Sequence, residues 1–331
     1  MSIPTRNDVI WIEKEGTYGS DPTPTNADAL LTAGTPVFTP NFELIDAEEY
    51  PGTLGKYKAH LGRYWSAISF ESLLRSSGAA YTGGTVPRLG KTLQGCGLVE
   101  SGGSPSTFYK YNLSSDLTDH PSVTIYNYKG GGDNPTNDTV LHELNGARGT
   151  LSFSFDRGEI PRFAFNFKGL WVDSIATTWP DPHASYETTH PMAALGVVIT
   201  NYPDSTNAAF LHLDFDLGSE PVMVEDAKDA DGVVAFKIVK WDITGNCTIE
   251  ATPAAVTALE TAIKARTSNA LRFVFQTPGT TSEKCIITFA AARWDTYTWG
   301  DKDGIRTLSF PFRGDESAGD DGVEIRFGTA P

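Results

Sequence analysis

Four stretches of the chain alternate apolar and polar residues with period two. Leu151, Phe153 and Phe155 alternate with Ser152, Ser154 and Asp156; Phe163, Phe165 and Phe167 alternate with Arg162, Ala164 and Asn166. Leu211, Leu213, Phe215 and Leu217 alternate with His212, Asp214 and Asp216, and Val323, Ile325 and Phe327 with Glu324 and Arg326. Each pattern predicts a strand with one buried and one wet face, the habit of antiparallel sheets. Further strands are predicted over residues 63–73, 233–243, 271–276, 285–291 and 305–312. One segment reads as a well-capped helix, with Thr252 as N-cap, Pro253 in the first turn, and Val256, Leu259 and Ile263 on one face. A second helix is predicted over 87–98 from Leu89, Leu93 and Leu98, weakened by Gly90, Gly95 and Gly97.

An internal repeat organises these elements. TLSFSF at 150–155 recurs as TLSFPF at 307–312, each followed by Arg and Gly and then by a final strand. Upstream of each copy lie a helix and, before it, a long strand (63–73 or 233–243). The expected fold is therefore mainly β: two tandem β-domains, residues 1–180 and 191–331, each with one short helix. The first also carries an N-terminal arm and long loops, among them 129–146 (KGGGDNPTNDTVLHELNG), rich in Gly, Asn and Asp. The proline-rich stretch 177–191 reads as the join.

Composition narrows the function classes. With 331 residues, 40% hydrophobic and 11% aromatic, the chain can build a core, which sets aside disorder and coiled coil. The 26 Lys and Arg against 41 Asp and Glu give a net charge of −15, unsuited to gripping phosphates by counterion release. No apolar run reaches the ~18–20 residues of a membrane helix, so no membrane partner is expected. The opening MSIPTRNDVIWIEKEG is interrupted by Asp8, Glu13 and Glu15, unlike a signal peptide, which points to synthesis and retention in the cytoplasm. Cys96, Cys247 and Cys285 are too far apart for a C-x-x-C site or a disulfide framework.

Catalytic motifs fail at specific positions. Gly90-Lys91-Thr92 lacks the partner glycine of a P-loop, because position 85 is Thr85. His142-Glu143 lacks the second histidine of a zinc site, because position 146 is Gly146. The turns at Asp229-x-Asp231-Gly232 and Asp301-x-Asp303-Gly304 place Ile238 and Phe310 where a calcium loop needs glutamate, so both read as hairpin turns. His212, Asp214 and Asp216 make the best acid–base or metal candidate, though any half-exposed strand gives that spacing. Trp65, Trp241, Trp294 and Trp299 read as core or interface anchors rather than sugar platforms. No catalytic residue, metal or cofactor is assigned.

Several stretches resemble the major tail tube proteins of long-tailed bacteriophages. They are VIWIEKEGTYGSDPTPTNADALLT (9–32), VPRLGKTLQGCGL (86–98), ARGTLSFSFDRGEIPRFAFNFKGLW (147–171) and DKDGIRTLSFPFRGDESAGDDGVEIRFG (301–328). The resemblance implies β-sandwich or rolled-sheet tube domains, each with a flanking helix, whose strands join around a ring into one barrel. Stacked rings then form a virion tail tube, assembled in the host cytoplasm, that conducts DNA during ejection without binding it specifically. Its partners would be further copies of itself, the tape measure protein and other tail proteins. Single-domain members form hexamers and duplicated ones trimers with pseudo-sixfold symmetry. The repeat found here favours the trimer, with the hexamer as alternative.

Within that frame, Asp214, Asp216 and Glu324 are candidates to line the channel, the alternative being an ordinary solvated surface. Residues 45–63, with Tyr50, Leu54, Tyr57 and Leu61 as apolar anchors, form a candidate contact loop to the next ring, or else a plain surface loop. Two other readings stay open on the residues alone. They are a carbohydrate-binding β-sandwich using exposed Trp and Asp, and a glycosidase using Asp214 and Asp216.

Overall fold

The computed structural model describes residues 8–46, 49, 52, 58–76, 86–102, 108–130, 139–180, 186–187, 189–276 and 283–328. The first half of the chain contains β1 (Asp8–Lys14), β2 (Ala29–Leu30), β3 (Val37–Ile45), β4 (His60–Leu73), α1 (Arg88–Gly95), β5 (Val99–Gly102), β6 (Phe108–Asn112), β7 (Val123–Gly130), β8 (Thr139–Asp156), β9 (Arg162–Trp171) and β10 (Ile175–Thr177). The second contains β11 (Val198–Thr200), β12 (Phe210–Asp216), β13 (Pro221–Glu225), β14 (Val233–Ile238), β15 (Thr244–Glu250), α2 (Pro253–Ala265), β16 (Ser268–Gln276), β17 (Lys284–Trp294), β18 (Thr298–Lys302), β19 (Ile305–Asp315) and β20 (Glu324–Gly328). Among the described residues the protein is thus mainly β with two short α-helices. Strands β13 and β14 form a sheet of their own, and every other described strand belongs to one branched, antiparallel network.

The main run of that network has the order β3-β4-β9-β8-β12-β15-β19-β18. It crosses the expected boundary between the halves without a break, because Ser154 of β8 lies between Arg162 of β9 and Asp214 of β12. A second crossing pairs β20 with β6. The two copies of the repeated motif sit in β8 and β19, separated in the run by β12 and β15. Leu151, Phe153 and Phe155 in one copy and Leu308, Phe310 and Phe312 in the other are all buried.

One face of this run is covered. The Phe155 and Phe275 ring centroids lie 5.2 Å apart, and those of Phe215 and Phe289 5.1 Å, so β16 and β17 pack across the apolar face of β8 and β12. One hydrophobic cluster extends from Ile10 to Phe327 and takes residues from both halves. Cys96, Cys247 and Cys285 are fully buried within it as free thiols.

Both helices form where the sequence predicts them. Thr252 accepts a hydrogen bond from the Ala255 amide at 3.0 Å, Pro253 opens α2, and Leu259 is buried. The glycines that weaken α1 let it lie flat on its neighbours. A Cβ at Gly90 would stand 2.1 Å from Tyr111 Oη, and one at Gly95 2.8 Å from the Phe167 ring.

Two expectations are corrected. Residues 233–243 do not form one strand: β14 ends at Ile238, and the central strand β15 begins at Thr244. Buried Ile238 and Ile243 are five positions apart, an odd spacing that no continuous strand can put on one face. Residues 139–146 are not an exposed loop but the start of β8, paired with β7 and burying Leu141 and Leu144. In the expected join, Trp179 and Tyr186 pack on the aromatic face formed by Trp11, Tyr126 and Tyr128.

Candidate assembly surface

Except at the start of β8, where Arg148 is buried against β14 and donates to the Phe236 carbonyl, the other face of the eight-strand run is lined mostly by small polar side chains. Ser69, Asn166, Thr150, Ser152, Ser154, Thr244, Asn246, Thr248 and Ser309 occupy its alternate positions. Charges of both signs are spread among them: Glu71, Asp156, Asp214, Asp216 and Glu250 against Arg162, Lys168, Lys302 and Arg313. The acidity of the chain is gathered instead in turns, such as Asp226, Asp229 and Asp231 between β13 and β14, and Glu316, Asp320 and Asp321 before β20.

Asp214 and Asp216 lie on this open face. Asp214 is opposite Ser154 and Asn246, and Asp216 opposite Ser152 and Thr244. Next to them, His212 places Nδ1 3.1 Å from Asp156 Oδ1 and Nε2 3.3 Å from Asp214 Oδ2. The hydrogen bond to Asp214 raises the His212 pKa; partial burial opposes the shift, and Asp156 adds to it. Glu324 is elsewhere. It sits on β20 between Thr288 and Asn112, ion-paired with Arg326 at 2.7 Å, outside the eight-strand run. The three carboxylates therefore do not share a surface. Among the described residues no group of His, Cys, Asp and Glu is arranged to hold a metal ion.

The run has two open ends. Among the described residues, β3 pairs only with β4 and β18 only with β19. The β18–β19 hairpin turns on Asp303 (φ 56°) and Gly304 (φ 84°), a two-residue turn of the primed kind. Such a turn makes Lys302–Ile305 a hydrogen-bonded pair, and Gly300–Thr307 the next. The backbone amides of Trp299 and Asp301 consequently point away from β19, toward the open edge. Trp299 is half-exposed there, whereas Trp294 is buried in the core. Pro311, in the middle of β19, falls between the last residue paired with β18 and the first paired with β17, where a missing N–H costs least.

At the other end, β3 and the start of β4 extend beyond β9 as a two-stranded arm. A bulge between Phe42 and Leu44 changes the phase of the alternation. Leu44 and Leu61 pair with one another, 67% and 56% exposed, while Phe42 pairs with Tyr64 and packs on Trp171 at 4.8 Å. Ile45 is 56% exposed. The arm thus leaves Leu44, Ile45 and Leu61 as exposed apolar surface. Of the expected contact anchors, Leu61 lies on this arm; Tyr50, Leu54 and Tyr57 lie outside the described residues.

Sequence reasoning missed the polar node that joins the halves. The Glu15 carboxylate, 5% exposed, accepts from the amides of Gly19 (2.7 Å) and Gly146 (2.6 Å) and from the hydroxyls of Ser122 (2.6 Å) and Thr124 (2.8 Å). Tyr18 and Arg148 continue the node to β14. The only signal was a glutamate and a Tyr-Gly turn directly after an apolar strand.

A family model described as phage tail tube protein matches residues 5–324 of the chain. A comparison with curated proteins gave no match.

Proposed function

The chain belongs to the phage tail tube protein family, a structural and non-enzymatic component of the phage tail, and from that premise we propose that three copies close into a ring around a DNA channel. The observation that carries the proposal is the unbroken eight-strand run whose end strands, β3 and β18, each have a single neighbour among the described residues. Eight is an even number, so its end strands run in opposite directions. When β18 of one copy meets β3 of the next, the pair is antiparallel like every other pair in the run. Each ring then has no unpaired edge on which chains could aggregate.

The size of the channel follows from the strand count. Three copies supply ~24 strands; at ~4.8 Å spacing and ~40° tilt the circumference is about 150 Å and the diameter ~48 Å. Allowing ~5 Å of side chain on each wall leaves ~38 Å, wide enough for a duplex. Six copies would double the diameter to about 96 Å, far wider than a duplex needs. The strand count therefore favours the trimer, with the two halves of each chain acting as tandem tube domains.

The open face is the channel lining in this reading. The layer of β16, β17 and α2 covers the other face and takes the longer outer circumference. Asp214 and Asp216 face the channel and Glu324 does not. A lining of Ser, Thr and Asn with charges of both signs offers a sliding phosphate backbone neither a strong attraction nor a strong repulsion. Rings stack through the β3–β4 arm, with Leu44 and Leu61 joined by Tyr50, Leu54 and Tyr57. The tape measure protein and the other tail proteins are the further partners, and assembly takes place in the host cytoplasm of a long-tailed phage.

Electron microscopy with native mass measurement tests the proposal. Rings of three chains with a central hole support it. Rings of six overturn the trimer, and a protein that stays monomeric when concentrated and seeded with tail fragments overturns the tube.

A further inference from the structure

Arg63 lies on the arm and reaches beyond it. Its Nε and Nη2 donate to Glu43 Oε2 (2.5 Å) and Oε1 (3.0 Å) across the arm, while Nη1 donates to Glu225 of β13. The next residue, Tyr64, donates its backbone N–H to the Asp231 carbonyl in the β13–β14 turn at 3.2 Å. A Cβ at Gly232 in that turn would lie 3.7 Å from Arg63 Cβ. At its other end the hairpin is fixed to the first half. The Phe236 amide donates to Tyr18 Oη at 2.8 Å, and Ile238 lies so close over Gly97 that a Cβ there would meet it at 2.9 Å.

We propose that the β13–β14 hairpin is a brace that sets the direction of the arm, with Arg63 as the positioning residue through which the second half of the chain governs recruitment of the next ring. The inference rests on the reading that the arm makes the inter-ring contact. Past Trp171, the last residue of β9, the arm is a two-stranded ribbon, and such ribbons are only marginally stable alone. A free arm would have to be ordered at the moment of contact, which weakens association; a braced one is ordered beforehand. The hairpin contributes no strand to the eight-strand run, so it can be loosened without opening the ring. Exposed ion pairs add little to global stability, so losing the Arg63 fork should leave the fold intact while freeing the arm.

The test uses the full chain and reads the critical concentration for tube growth alongside ring mass and melting temperature. Arg63→Ala and Glu225→Ala should each raise the critical concentration roughly five- to tenfold with rings and melting unchanged. Arg63→Cys combined with Gly232→Cys puts two Cβ atoms near the ~3.8 Å separation of a disulfide. The native cysteines are buried and do not compete. Oxidised, the double variant should grow at the wild-type concentration; reduced, it should match Arg63→Ala. Gly232→Cys alone controls for the left-handed backbone of that turn (φ 70°).

Wild-type growth by Arg63→Ala, or equally poor growth of the oxidised and reduced forms, overturns the brace. Leu44→Asp with Leu61→Asp separates the two levels. If it blocks growth while Arg63→Ala does not, the brace alone is wrong. If it leaves growth untouched, the arm is not the contact and both ideas fall.

Discussion

The Arg148 guanidinium lies over the Tyr18 ring, 5.2 Å from its centroid, and the two side chains grip the same residue from both sides. Tyr18 Oη accepts from the Phe236 amide at 2.8 Å and donates to the Gly146 carbonyl at 3.0 Å. Arg148 donates to the Phe236 carbonyl at 3.0 Å and to the His120 carbonyl at 2.8 Å. One buried cation thus ties the N-terminal turn, β8 and β14 together. Arg148→Met keeps the stem but strands two carbonyls, and is expected to cost about 2–4 kcal/mol. Tyr18→Phe, which leaves the Phe236 amide without its acceptor, should cost about 1–3 kcal/mol. Urea unfolding of the isolated chain measures both, and limited proteolysis should then cut first in the β13–β14 turn. An Arg148→Met midpoint equal to wild type would show that the node is dispensable.

Glu15 illustrates a different dependence. Each of its two oxygens accepts from one backbone amide, Gly19 or Gly146, which can only donate, and from one hydroxyl, Ser122 or Thr124, which can turn. Glu15→Gln is nearly isosteric, yet its NH₂ must face at least one of the donors. The expected loss is about 1–3 kcal/mol, and Glu15→Ala should lose more because all four donors are left without the carboxylate. Equal stabilities of Gln and Glu at this position, measured by the same unfolding experiment, would contradict that account.

On the open face His212 stands between Asp156 and Asp214. Its folded-state pKa is raised above 6.5 by the hydrogen bond to Asp214, reinforced by Asp156 against the opposing effect of burial. A raised histidine pKa stabilises the fold fully below pH ~6.5 and loses that contribution as the pH climbs through the folded value. The difference in stability between wild type and His212→Gln should therefore shrink from pH 6 toward pH 9. An NMR titration placing His212 at or below 6.5 would refute the assignment.

Legibility in the sequence followed the length scale of each feature. The strands around Phe153, Phe165, Leu213 and Ile325 were readable because burial on one side writes itself into every second residue. The cap at Thr252 and the turn at Asp303-Gly304 were readable because local backbone geometry restricts the residues allowed. What was not readable is pairing between distant strands. Nothing near Ser154 announces that Asp214 lies beside it, and nothing near Phe108 announces Gly328. The distance of Glu324 from Asp214 was unreadable for the same reason: its alternation predicts a wet face, and a branched network has more than one. Arg63 gave no sign, since an isolated arginine beside a glycine-rich loop looks like any solvated residue until Glu43 and Glu225 are brought to it.

The free edge at β18 gives the sharpest test of ring closure. Because Trp299 belongs to a pair in the β18–β19 hairpin that exchanges no hydrogen bonds, its N–H points outward and is unused within the hairpin. Trp299→Pro removes that donor and sets a ring against any strand trying to add there, while leaving the bonds at Gly300 and Lys302 in place. Trp299→Ala removes only the side chain, including its contact with Arg306, and keeps the donor. If β18 of one copy pairs with β3 of the next, the proline variant should remain a folded monomer by native mass while the alanine variant still forms rings of three. If both close rings equally well, the seam lies elsewhere, because a strand joined through that edge could not lose its central donor without consequence.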